Sequence, residues 1–139
     1  MFDSLKVHAR PRRVVHAHCD IPCGIYNPDA AQLAALTVET MVTKIRALPD
    51  QTSEASRNSF VRMVAVKEEH AERVKREVQI IWSDYFKPEH LEKFPNLHDQ
   101  VWRTLKAASA AKQSIDPEKA AELRRQVDEF ARMFWESKK

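Results

Sequence analysis

The sequence predicts an all-α fold, an antiparallel four-helix bundle, because it is nearly free of glycine and contains four amphipathic segments joined by short connections. Only one of its 139 residues is glycine, whereas average usage would give about ten. Hairpin turns depend on the positive φ that glycine supplies, so a β fold rich in hairpins is excluded. The hydrophobic fraction of 43% is too high for a disordered chain. We expect one small domain with a hydrophobic core.

The first and fourth helices share the same start signal, a capping side chain followed by proline at the first helical position. Asn27-Pro28 opens the first helix, which Pro49 ends, and Asp116-Pro117 opens the fourth. The first helix is predicted to bury an approximate apolar stripe formed by Leu33, Leu36, Met41, Ile45 and Leu48. The fourth is predicted to bury Leu123, Val127, Phe130 and Phe134.

The second helix is the longest and is predicted to run from a polar loop to about Trp82. Its apolar face comprises Phe60, Met63, Val64, Ala71, Val74, Val78 and Ile81. Pro88 and Pro95 each suit the start of a helical turn. The third helix is marked by Leu97, Val101, Leu105 and Ala108.

Residues 1–17 carry the whole net charge of +3. They hold four of the 23 basic residues and one of the 20 acidic ones, which leaves 19 of each sign in residues 18–139. The remainder therefore has no basic stripe for nucleic acid, and no segment approaches the roughly 20 apolar residues of a membrane span. Residues 1–17 also lack the apolar run of a secretory signal, so we expect a cytoplasmic protein. Composition leaves two interpretations of this segment open, a frayed tail and a removable leader.

Two cysteines, Cys19 and Cys23, lie four residues apart beside His18. One imidazole and two thiolates are fewer ligands than the four that a structural zinc site usually has. A local disulfide and a pair of inert thiols are alternative interpretations of the two cysteines. Cleavage before His18 would add an α-amine, so that the amine, the Cys19 amide nitrogen and both thiolates offer two nitrogens and two sulfurs in a plane. Such a set selects nickel(II) or copper(II), with the imidazole placed to bind axially. Gly24 permits a sharp exit from the segment.

The segment HCDIPCGIY, residues 18–26, together with WSDYFKP, residues 82–88, resembles the nickel-containing superoxide dismutases. The hallmark of that family is an N-terminal metal-binding hook of the form His-Cys-Asp-x-Pro-Cys-Gly-x-Tyr, exposed by removal of a short leader. The resemblance continues through HLEKFPNLH, TLKAASAAK and FWESKK to the end of the chain. It implies a four-helix bundle and an antioxidant enzyme that converts superoxide to dioxygen and hydrogen peroxide by cycling Ni(II) and Ni(III).

The resemblance also implies a processed chain and a ligand set. Residues 1–17 would be a leader removed by a protease, and residues 18–139 the hook plus the bundle. One nickel ion per subunit would bind the amine and imidazole of His18, the amide nitrogen and sulfur of Cys19, and the sulfur of Cys23. The family forms homohexamers, so we expect a hexamer. Outside this family, a non-enzymatic nickel- or copper-binding helical protein and an interaction module that keeps residues 1–17 are the alternatives.

Four further residues take roles from the same resemblance. Asp20 would help to fold the hook, Tyr26 and Tyr85 would order water and limit access at the open face of the metal, and Lys87 would attract the superoxide anion. Without the family, Tyr85 would be interpreted as a core aromatic residue and Lys87 as a surface lysine. His90 and His98 are interpreted as surface or capping residues.

The chain departs from the family at two supporting positions. The best-known members place a glutamate and an arginine where this chain has Ala34 and His70, and those side chains support the axial imidazole. We hypothesise that His70 or an ordered water replaces this support.

Overall fold

The computed structural model describes residues 24–49 and 52–139. In this part of the chain there are five α-helices and one turn of π-helix. The elements in chain order are α1 (Asp29–Arg46), α2 (Glu54–Ile80), the π-helix (Ile81–Tyr85), α3 (Pro88–Lys93), α4 (Leu97–Lys112) and α5 (Pro117–Ser137). The all-α prediction is confirmed, and α1, α2, α4 and α5 are the four long helices of the bundle.

Helices α1 and α5 run antiparallel. Near the start of α1, Gln32 Nε2 donates to Asp128 Oδ1 at 2.8 Å. Further along α1, Arg124 lies 3.8 Å from Glu39. Residue numbers therefore rise along α1 as they fall along α5, which places the start of α1 beside the end of α5.

Helices α2 and α4 are antiparallel for the same reason. Lys112, at the end of α4, forms a 2.7 Å ion pair with Glu72. At the other end, the Trp82 indole N–H donates to His98 Nδ1 at 2.9 Å. The end of α2 thus lies beside the start of α4.

Buried Lys67 joins α2 to the end of α4. Its side chain is 2% exposed, and its ammonium donates to the carbonyl of Ala111 at 3.1 Å and to that of Lys112. These are the last two carbonyls of α4, which lack partners within the helix. Burial lowers the pKa of Lys67, and the nearby carboxylate of Glu68 only partly offsets the shift.

The predicted buried faces are confirmed in α5 and only partly in the earlier helices. In α5 the four predicted residues are fully buried. In α1 the prediction is wrong for Leu33 and Leu36, which are 65% and 45% exposed. The buried face of α1 is rotated toward small and β-branched residues: Ala31, Ala34, Ala35, Val38, Val42 and Ile45. Alanine lets neighbouring backbones approach closely, so the larger leucines are left outside.

The predicted start of α5 is confirmed, whereas α1 begins one residue later than predicted, at Asp29, with Pro28 in the capping position. Asn27 Oδ1 accepts a hydrogen bond from the Asp29 N–H at 2.8 Å. Asp116 Oδ1 accepts from the Glu118 N–H at 2.9 Å, and Pro117 is the first residue of α5. Pro88 likewise begins α3.

Helix α2 passes directly into the π-helix, which the sequence did not predict. The Phe86 N–H donates to the Ile81 carbonyl at 3.2 Å, five residues back. A π-turn inserts one residue into the helical repeat and rotates the residues after it. Tyr85 is the last residue of this turn, and it reaches the end of the bundle where α1 begins and α5 ends. None of the helices in residues 24–49 and 52–139 is long and apolar enough to cross a membrane.

Candidate active site

A cavity of about 350 Å³ lies at this end of the bundle. Three of the predicted functional residues, Tyr26, Tyr85 and Lys87, meet at its wall although about 60 positions of chain separate the first from the others. The residues that line it are Gly24, Tyr26, Asp84, Tyr85, Lys87, Glu89 and His90.

Gly24 brings the chain to the cavity wall. Its φ is +63°, in the left-handed region that side chains rarely adopt. This agrees with the predicted sharp exit. Gly24 directly follows Cys23, so the segment that contains the predicted ligands ends at the cavity.

Tyr85 is held by packing and by a hydrogen bond. Its ring centroid lies 5.6 Å from that of Tyr26 and 4.7 Å from that of buried Phe134. Its hydroxyl lies 2.8 Å from Ser137 Oγ, which donates its own hydrogen to the Phe134 carbonyl at 2.6 Å. Because a serine hydroxyl has one hydrogen, the phenol must be the donor to Ser137. The lone pairs of the Tyr85 oxygen remain available to accept.

The end of α5 completes the support of Tyr85. The ammonium of Lys138 lies 5.5 Å from the centroid of the Tyr85 ring and 4.6 Å from that of Phe134, within cation–π range. In the sequence, FWESKK is only a stretch that matches the family, and it predicts no role for Ser137 or Lys138. The sequence gives little indication of these two roles, because Tyr85, which both residues contact, lies about 50 residues away.

Lys87 and His90 also line the cavity. The backbone N–H of Lys87 donates to His90 Nδ1 at 2.9 Å, which confirms a capping interaction for His90. The His90 ring also stacks on Tyr85, so it is a wall residue that the sequence did not predict. His98, in contrast, is exposed, contacts Trp82 and does not line the cavity.

The charged side chains at the wall sum to a net charge of −1. Asp84 and Glu89 are acidic, Lys87 is basic, and all three are exposed. The ammonium of Lys87 therefore offsets one of the two carboxylates.

The predicted ligands His18, Cys19 and Cys23, and Asp20 with them, lie outside the described residues. Within the part of the chain that is described, no cluster of three or more His, Cys, Asp and Glu residues could hold a metal ion.

The two departures from the family pattern fall on α1 and α2. Ala34 is buried in the core, and His70 is half-buried. His70 Nδ1 lies 2.9 Å from the Val66 carbonyl. A carbonyl can only accept, so Nδ1 carries a hydrogen.

The described structure is a helical bundle with a cavity lined by Tyr26, Tyr85 and Gly24, the residue that follows Cys23 in the sequence. Residues 13–138 match the family described as nickel-containing superoxide dismutase, and the chain belongs to that family. It is an oxidoreductase, a superoxide dismutase with a nickel cofactor. The family thus favours the enzyme over the non-enzymatic alternatives.

Named relatives and solved structures agree with this assignment. The nickel superoxide dismutase of Streptomyces coelicolor is 43% identical over 132 residues, which cover 93% of this chain and 94% of the relative. That of Streptomyces seoulensis is 41% identical with the same coverage. The native crystal structure of a nickel superoxide dismutase superposes with a TM-score of 0.79 at 41% identity, covering 88% of this chain and all of the other. A structure with nickel ligation corresponding to the oxidized state gives 0.79 at 38% identity, covering 87% and 98%.

Proposed function

We propose that a protease removes residues 1–17 and that the new N-terminus holds one nickel ion per subunit. His18 would supply its α-amine and imidazole, Cys19 its amide nitrogen and sulfur, and Cys23 its sulfur. The donor set supports this because amine, amide and thiolate ligands suit a planar d-block ion, and thiolates stabilise its oxidised state. Held by these residues, nickel would supply the reversible one-electron chemistry by which one superoxide is oxidised and a second is reduced.

The observation that carries the proposal is the position of the cavity. It borders Gly24, the residue directly after Cys23, and its wall contains Tyr26, Tyr85 and Lys87. The two tyrosines would narrow the approach to small species and order water. The ammonium of Lys87 would attract the superoxide anion. Asp20 would stabilise the folded hook.

Forming hydrogen peroxide from the second superoxide requires two protons. The Tyr85 hydrogen is committed to Ser137, so the phenol oxygen can accept a hydrogen bond from water in the cavity. We infer that ordered water supplies the protons and that Tyr85 orients this water rather than giving up its own hydrogen.

The enzyme is proposed to assemble as a homohexamer in the cytoplasm. Ile25, next in sequence to two residues of the cavity wall, is 74% accessible, and Leu33 and Leu36 on α1 are 65% and 45% accessible. Leu33 and Leu36 lie three residues apart on one helix and so form one exposed apolar face, a feature typical of surfaces that associate. A second copy of the chain is therefore proposed to cover this face.

One preparation of the expressed protein tests the proposal. Intact mass should place the N-terminus at His18, metal analysis should give about one nickel per chain, and superoxide removal should be rapid. Bound nickel with slow turnover would instead indicate a metal-binding protein, and a chain that keeps Met1 with little metal would indicate an interaction module. Dismutation by a chain that still begins at Met1 would refute the amine ligand.

A further inference from the structure

We propose that His90 is a positioning residue that holds both Tyr85 and Lys87 in place at the cavity wall. The inference rests on the proposed function, which gives Tyr85 and Lys87 their roles. His90 makes two separate contacts, one with the face of its ring and one with its edge.

The face of His90 fixes the Tyr85 ring. The two rings are nearly parallel, with an interplanar angle of 14° and centroids 5.5 Å apart. Phe86 contacts the same imidazole edge-on at 5.6 Å. Tyr85 is thus packed among the rings of His90, Tyr26 and Phe134, and its hydroxyl is tied to the end of α5. Loss of the imidazole would remove one side of this packing.

The edge of His90 fixes the backbone of Lys87. Its Nδ1 accepts from the Lys87 N–H at 2.9 Å, and the His90 N–H donates back to the Lys87 carbonyl at 3.0 Å. Lys87 has an extended backbone just before α3, so its N–H has no partner within that helix. The two bonds lock the point from which the Lys87 side chain leaves the chain.

Two substitutions separate the contacts. His90→Phe keeps an aromatic face and loses the acceptor, whereas His90→Asn keeps an acceptor near the Nδ1 position and loses the aromatic face. His90→Ala loses both. His98→Ala is the matched control, because His98 also accepts at Nδ1 and contacts an aromatic ring, yet it does not line the cavity.

Two measurements on the full nickel-loaded protein report the contacts without depending on turnover. Amide hydrogen exchange at Lys87 should accelerate about twofold to twelvefold in His90→Phe and His90→Ala, the range given by one hydrogen bond, and should stay near wild type in His90→Asn. The chain has two tyrosines, so fluorotyrosine labelling gives two fluorine NMR signals. The Tyr85 signal should move further in His90→Asn than in His90→Phe.

The functional consequence is read from steady-state kinetics at equal nickel content. Because His90→Phe removes the bond that fixes the Lys87 backbone, its kcat/KM should fall about threefold or more and should depend less on ionic strength. His98→Ala should match wild type. Unchanged Lys87 exchange, or altered exchange with unchanged kcat/KM and salt dependence, would overturn the inference. An inactive wild-type enzyme would overturn the proposed function instead, and the exchange and fluorine data would still report the two contacts.

Discussion

Replacing Lys87 with methionine should slow capture of superoxide by removing the positive charge at the cavity wall. Lys87 lines the cavity, and we take about 6 Å as the separation between its ammonium and an anion bound there. At that distance two unit charges interact by about 0.7 kcal/mol in water, which is about threefold in rate. The two carboxylates of Asp84 and Glu89 would then act on the anion without an opposing charge.

The matched control is Lys106→Met. It removes the same charge from α4, where the ammonium lies 5.6 Å from the Trp102 ring and does not line the cavity. Pulse-radiolysis measurement of kcat/KM should show the deficit for Lys87→Met at about 0.01 M salt, where the screening length is about 30 Å, and little deficit near 1 M, where it is about 3 Å. An equal loss in both variants would mean that net charge rather than Lys87 attracts superoxide. A loss in Lys87→Met that salt does not change would refute the electrostatic explanation.

Three further perturbations test the support of the site and the bundle. Lys67→Met leaves the last two carbonyls of α4 without a hydrogen-bond donor, so the free energy of unfolding should fall by about 2 kcal/mol. Urea titrations at fixed protein concentration measure this loss, and the control Lys119→Met, at an exposed position, should change the free energy of unfolding little. Because the folded-state pKa of Lys67 is lowered, the unfolded chain binds its proton more strongly; stability should rise with pH just below 10.5 in wild type, and this contribution should vanish in Lys67→Met. Ser137→Ala should cost about 0.5–1.5 kcal/mol for its bond with Tyr85, in addition to the cost of losing its bond to the Phe134 carbonyl; a Tyr85→Phe background should remove only the first part, and equal total costs in both backgrounds would mean that the Tyr85 bond contributes nothing. His70→Ala should change the spectrum of the bound nickel if His70 supports the axial imidazole, and an unchanged spectrum and activity would contradict that hypothesis.

The helices were predictable because their signals are local. The cap of Asp116 and the spacing of apolar residues in α5 lie within one or two turns of the chain, and the structure confirms them. The Asn27-Pro28 signal placed the start of α1 to within one residue. The buried face of α1 was not predictable from hydrophobicity, because Leu33 and Leu36 are more apolar than the alanines that replace them in the core. Close packing between helices selects the smaller side chains, and this depends on the neighbouring helix.

In the candidate site, too, some residues could be predicted from the sequence and others only from the packing. Tyr85 and Lys87 could be singled out only through the WSDYFKP stretch, since an isolated tyrosine or lysine carries no signal of its own. His90 was predicted to be a surface or capping residue, and its stacking on Tyr85 depends on the π-helix, for which the sequence has no clear signature. Ser137 lies 52 positions from the phenol it accepts from, so no local pattern could have paired them.

The sequence by itself determined the fold class and the family, and it supplied the donor set that is proposed for the metal. One glycine, four amphipathic segments and the order of His18, Cys19 and Cys23 are properties of neighbouring residues, and local energetics and ligand chemistry act on neighbours. Only the tertiary structure decided that the start of α1, the π-helix and the end of α5 meet at one end of the bundle, beside the cavity. Antiparallel packing brings these distant segments together, and that is why Tyr85 donates to Ser137 and stacks on His90 at the place where the cysteine segment ends.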